Sequence, residues 1–139
     1  MENLMVTLKR TDSRVHFECT SAFHPEITMP LDYTPPLGSG NGLAGLEALL
    51  IAFTGCVSTA VIGLLMRQGK HVVDYAASAE GVRTEQPLAL GEIHLHVSVT
   101  SGDVTQEDMQ TVLRQAEAIS PVWLAIQNNV SVKTSFELR

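Results

Sequence analysis

The stretch "EALLIAFTGCVSTAVIGLLMRQGK", residues 47–70, governs how this chain is read. It runs from Ala48 to Met66 without a charged side chain, and Cys56 sits near its middle between Gly55 and Val57. Its length and hydrophobicity would suit a membrane span. Against that, Thr54, Gly55, Ser58, Thr59 and Gly63 dilute the apolar run, Glu47 stands at its edge, and the flanking sequence reads as amphipathic strands. A helix apolar on every side is also the buried axis of a soluble protein, and that is the reading preferred here. The helix is predicted from about Leu43 to Gln68. Arg67 in the last turn and Gly69 just beyond the end form an ordinary C-terminal signature.

Working outward, the chain has 139 residues, enough for a single domain spanning 1–139. It is 45% hydrophobic, 17% charged and carries a formal net charge of −6. No Lys/Arg cluster offsets that acidity, and aromatics are few, so a nucleic-acid binder is excluded. Two cysteines do not make a disulfide scaffold. The stretch "MENLMVTLKRTD" holds no apolar run of signal-peptide length, so a cytoplasmic protein without a membrane partner is expected.

"LMVTLKR" and "RVHFECTS" alternate and are separated by "TDS", which predicts a β-hairpin; "EITMPL" is a third strand. "DYTPPLGSGNGLAG" is a Pro/Gly loop leading to the long helix. "HVVDYAASAEGVR" and "LGEIHLHVSVTS" are strands, with Ile93, Leu95, Val97 and Val99 on one face of the second. Thr105 and Asp108 form a capping-box start for "QEDMQTVLRQAEAI". Ser120 and Pro121 open a short helix in "SPVWLAIQNN", and "VSVKTSFELR" is a final strand. The expected fold is α+β, in the order β-β-β-α-β-β-α-α-β. One sheet cannot cover a helix that is apolar all round, so an intertwined homodimer with these helices near its centre is expected.

Taken as residues, the candidates divide. Cys56, among small neighbours, is either a packed small hydrophobe or an accessible thiol, and the helix middle gives it no dipole assistance. Cys19 alternates with Val15 and Phe17, as core filler does. Glu47 is either a helix-start carboxylate or the partner of Arg10 or Arg14 in the hairpin. His94, His96 and Glu92 share one strand face, which reads as a solvated or interface surface more readily than a metal site. His16, His24 and His71 carry no motif.

"LEALLIAFTGCVSTAVIGLLMRQG", "GEIHLHVSVTSGDVTQEDMQTVLRQAEAISPV" and "VSVKTSFEL" together resemble the OsmC/Ohr family of osmotically induced and organic-hydroperoxide-resistance proteins. The "GC" before a long apolar run and the "IHLHV" strand are typical of its general OsmC-like branch. The resemblance implies an intertwined homodimer with active sites at the interface and thiol-dependent reduction of hydroperoxides. It implies that Cys56 attacks the peroxide, that Glu47 holds an arginine, Arg14 or Arg10, which activates the thiolate, and that an external thiol is consumed without a metal or organic cofactor. The family's second, resolving cysteine falls on Ser120, which cannot form a disulfide. Trp123, one turn further on, would then wall the pocket or simply pack in the core. The function expected from the resemblance is a one-cysteine peroxidase acting on small organic hydroperoxides. The competing expectation is a non-catalytic dimer that binds a small apolar ligand or senses thiol redox state.

Overall fold

The computed structural model describes all 139 residues. The elements follow the expected order: β1 (Val6–Arg10), β2 (Phe17–Ser21), β3 (His24–Leu31), α1 (Gly45–Arg67), β4 (Asp74–Glu85), β5 (Leu88–Thr100), α2 (Gln106–Ile119), α3 (Pro121–Ile126) and β6 (Ser131–Leu138). The six strands form two three-stranded sheets, β1-β2-β3 and β4-β5-β6, rather than one. The chain divides into two compact units, residues 1–49 and 50–139, and α1 begins in the first and continues into the second.

In the first unit β1, β2 and β3 pair antiparallel, with a register shift at Thr20/Ser21. The Pro/Gly loop after β3 is organised by Asp32, only 5% exposed. Its carboxylate accepts the backbone amides of Tyr33 at 2.7 Å, Asn41 at 3.1 Å and Ser39 at 3.3 Å. Desolvation pushes the Asp32 carboxyl up, but those amides outweigh it and hold the group below its usual range. Gly38 is obligatory there, since a Cβ would lie 2.1 Å from the Tyr33 carbonyl oxygen and 2.5 Å from the Asp32 carboxylate. None of the buried apolar side chains belongs to this unit; Val6, Leu8, Ile27 and Met29 are exposed on its sheet.

The second unit holds the core. β4 pairs antiparallel with β5, and β6 pairs parallel with β5, because α2 and α3 carry the chain back before it re-enters the sheet. Ile93, Leu95, Val97 and Val99 of β5 are buried, as their alternation predicts. Phe53, Val57, Val61 and Leu65, four residues apart on α1, are fully buried and form a single stripe. Burying each such side chain stabilises the unit by about 1.5–3 kcal/mol. Met109, Val112, Leu113 and Ala116 add the inner face of α2. Gly81 admits α1 closely: a Cβ there would lie 2.8 Å from both Leu50 Cδ1 and Leu90 Cδ1.

By length and hydropathy α1 passes for a membrane span. Its buried stripe instead makes it a core helix, although only one face is covered within the single chain, and Ile51 and Met66 remain exposed. Its C-terminus closes as the sequence predicts. Gly69 has φ +77°, its amide donates to the Met66 carbonyl at 2.9 Å, and the Lys70 amide reaches the Leu65 carbonyl at 3.0 Å.

Candidate active site around Cys56

α1 carries hydroxyls inside an apolar run, and each has a partner. Thr54 Oγ1 donates to the Leu50 carbonyl at 2.7 Å and Thr59 Oγ1 to the Gly55 carbonyl at 2.9 Å. Ser58 Oγ accepts the Tyr75 hydroxyl from β4 at 2.8 Å. Burial raises the Tyr75 phenol above its usual value, and the Ser58 bond works against that. Tyr75 is a contact the sequence reading missed. Its only signal was position on the face of β4 that alternates with exposed residues.

Cys56 is half-buried on the same helix, and its sulfur meets a side chain from the α2–α3 junction. Ser120 Oγ donates to Cys56 Sγ at 3.2 Å. Ser120 is fully buried. Its backbone is pinned on both sides: its amide donates to the Ala116 carbonyl at 2.8 Å, and its carbonyl accepts the Leu124 amide at 2.9 Å. The sequence assigned Ser120 to capping α3, and it does occupy the N-cap position. Its side chain, however, makes no cap bond. With Pro121 at the first helical position one orphan donor is already removed, and the hydroxyl turns to the sulfur instead.

One turn before Cys56, Phe53 packs edge-on against Trp123, with ring centroids 5.4 Å apart at 67°. Trp123 is 4% exposed. It therefore anchors α3 to α1 from beside Ser120, and its far side borders an open groove of about 540 Å³ along α2 and β6.

A family model described as OsmC-like protein matches residues 38–135, well over half of the chain. The chain belongs to the OsmC-like family. None of the curated proteins matches it in sequence. Among solved structures, a hypothetical protein from Aquifex aeolicus VF5 is similar at 20% identity and a TM-score of 0.84, the match covering 100% of this chain and 98% of that one. An organic hydroperoxide resistance protein OsmC from Legionella pneumophila is similar at 17% identity and a TM-score of 0.77, covering 99% and 98%. An organic hydroperoxide resistance protein from Elizabethkingia anophelis is similar at 18% identity and a TM-score of 0.76, covering 100% and 98%. At such identities the shared property is the fold.

The other residues singled out in this OsmC-like chain have these surroundings. Glu47 Oε1 accepts the Ala44 amide at 3.0 Å, a reach-back bond that closes the first turn of α1. Arg10 is engaged within its own hairpin: Nε donates to the Arg14 carbonyl at 2.7 Å, and a terminal nitrogen donates to the Ser13 carbonyl. Arg14 Nη1 donates to the Gly38 carbonyl at 3.1 Å, tying the hairpin to the loop that Asp32 organises. Neither arginine forms an ion pair with Glu47 in the chain. Cys19 pairs across the sheet with Leu8 and Met29 and lines an apolar hollow of about 420 Å³ on the N-terminal sheet.

His94 and His96 lie on the outer face of the second sheet, each beside its own carboxylates. His94 Nε2 is 2.9 Å from Glu92 and Nδ1 is 3.5 Å from Glu80, while His96 Nε2 is 3.6 Å from Glu137. The Glu92 carboxyl is held low by the His94 ring at 2.9 Å and the Lys133 ammonium at 3.0 Å. No three metal-ligating side chains converge in the chain.

Proposed function

We propose that this OsmC-like protein is a thiol-dependent peroxidase of the one-cysteine type, reducing small organic hydroperoxides through Cys56. The observation that carries the reading is the Ser120 hydroxyl donating to the Cys56 sulfur at 3.2 Å. A polar donor aimed at a half-buried sulfur on a core helix is what a nucleophilic thiol needs and an inert packing cysteine does not. Family membership supports it, as do two similarly folded proteins named for organic hydroperoxide resistance.

In the proposed cycle the Cys56 thiolate attacks an oxygen of ROOH and the O–O bond breaks. The sulfur loses two electrons and becomes a sulfenic acid; the RO⁻ fragment takes a proton and leaves as ROH. A low-molecular-weight thiol then attacks the sulfenic sulfur, water departs and a mixed disulfide forms. A second thiol releases Cys56 and leaves as the small-molecule disulfide.

Of the hairpin arginines, Arg14 is the better candidate for polarising the thiolate, because a single bond to Gly38 leaves most of its guanidinium free. Arg10 is held by two carbonyls. Glu47 keeps one carboxylate oxygen clear of the cap bond, available to orient a guanidinium. The reading includes a homodimer, which would cover the exposed apolar side chains of α1 and the N-terminal sheet, and a cytoplasmic setting, where reducing thiols are abundant.

The test is turnover. Wild type should consume about one equivalent of cumene hydroperoxide per chain, stall with a sulfenic or over-oxidised Cys56 on mass spectra, and resume when a small thiol is added. Cys56→Ser should be inert. Ser120→Cys should lose two protons on oxidation, forming the disulfide that wild type lacks. A wild-type Cys56 left unmodified by excess hydroperoxide would end the proposal.

A further inference from the structure

The Ser120 hydroxyl has one proton and one destination for it. The side chain is fully buried, so water does not compete, and it makes no bond to the amides of α3. Its sole partner is Cys56 Sγ at 3.2 Å. A thiol sulfur is a weak acceptor, whereas a thiolate is an ionised one and forms a stronger bond. A donor fixed in this position therefore favours the thiolate over the thiol.

The donor is also prearranged. The Ser120 amide closes the end of α2 on the Ala116 carbonyl, Pro121 fixes the entry to α3, and Trp123 packs that helix onto Phe53. No side chain has to reorganise when negative charge forms on the sulfur.

We propose that Ser120 is a catalytic residue of this chain in its own right: it stabilises the Cys56 thiolate by hydrogen bonding, in place of forming a disulfide with it. The inference rests on the thiol-peroxidase reading for its purpose, but the bond acts on the sulfur whatever the electrophile. A hydroxyl at this position has no S–S bond to offer, so the oxidised sulfur is left for an external thiol. The resolving step consumes one thiol to form the mixed disulfide with loss of water, and a second to release Cys56.

The experiment uses alkylation, not peroxide. In a Cys19→Ser background, the rate at which iodoacetamide modifies Cys56 is followed against pH for the full chain, Ser120→Ala and Ser120→Thr. Ser120→Ala should slow the reaction at neutral pH by about tenfold, the effect of losing one hydrogen bond to a charged group. Its pH profile should move upward while the rate at alkaline pH is retained. Ser120→Thr, which keeps the hydroxyl, should restore the wild-type profile. A purely structural serine would change the unfolding temperature and leave the profile where it was, and that result overturns the proposal.

If Ser120→Ala does not fold, Ser120→Thr against the near-isosteric Ser120→Val decides the same point, and identical profiles for the two refute it. A profile that shifts as expected in a protein that reduces no hydroperoxide would uphold Ser120 as donor and remove the peroxidase reading.

Discussion

The two halves of this chain bury their apolar residues very differently. In residues 50–139 the periodic hydrophobic faces of α1, β5 and α2 are buried, and every buried apolar side chain of the protein lies there. In residues 1–49 the alternation of β1–β3 is just as regular, yet Val6 is 72% exposed, Ile27 59% and Leu8 54%. Order in that half comes from backbone pairing and from the polar hub at Asp32. The lesson is that amphipathic patterning specifies a face and leaves open what covers it. The exposed apolar face of the first half is the surface that the proposed homodimer would cover.

That contrast can be broken first at its strongest point. Phe53→Ala removes a fully buried ring from the second half and its edge contact with Trp123. It should cost about 3–5 kcal/mol in denaturant unfolding, and a loss below 1 kcal/mol, the scale of ordinary surface substitutions, would mean that the stripe of α1 is not a close-packed core.

The second test addresses the first half. Leu8→Asp with Ile27→Asp places charge on its exposed apolar face. Sedimentation should find wild type as a dimer and the double variant as a monomer with its far-UV dichroism retained. A monomeric wild type would leave that face without its proposed cover.

How much of this was legible in the sequence varies by element. The 106–119 helix appeared with its boundaries and capping box intact, because Thr105 and Asp108 act through bonds only three residues apart. The closing signature at Gly69 was legible for the same local reason. The split into two sheets was not, nor was the parallel placement of β6, since strand pairing is decided between distant segments by packing. At the site, Cys56 stood out as a cysteine in an apolar helix. The redirection of Ser120 from cap to sulfur depends on how α3 meets α1, which no local pattern encodes. Asp32 was passed over as a loop residue, although an aspartate before a Pro/Gly run is a known collector of backbone amides.

The smallest effect sharpens the comparison on the polar side of the second half. Asp103 accepts the His71 amide and lies 3.0 Å from the His71 ring nitrogen, with Ser101 as a further donor. These bonds lower its carboxyl from 3.8 to about 2. Because the folded value lies below the unfolded one, the stability it contributes is full above about pH 4 and fades as pH falls towards 2. The unfolding temperature of wild type should therefore decline over that window more steeply than that of Asp103→Asn. Parallel curves would show that the contact does not distinguish folded from unfolded chain.

The parallel alignment of β6 with β5 also bears on how the protein reaches its native state. Partners such as His96 and Ser135 are 39 residues apart, and α2 and α3 lie between them. Closing a segment of that length is slow beside the formation of a hairpin such as β4–β5. α1 and the hairpin are therefore expected to assemble early, with the α2–α3 junction and β6 docking late. During that interval Cys56 has no Ser120 against it. Its sulfur gains the Ser120 hydroxyl as a partner only in the final stage of folding, so a nascent or partly unfolded chain carries Cys56 without the donor that faces it in the finished protein.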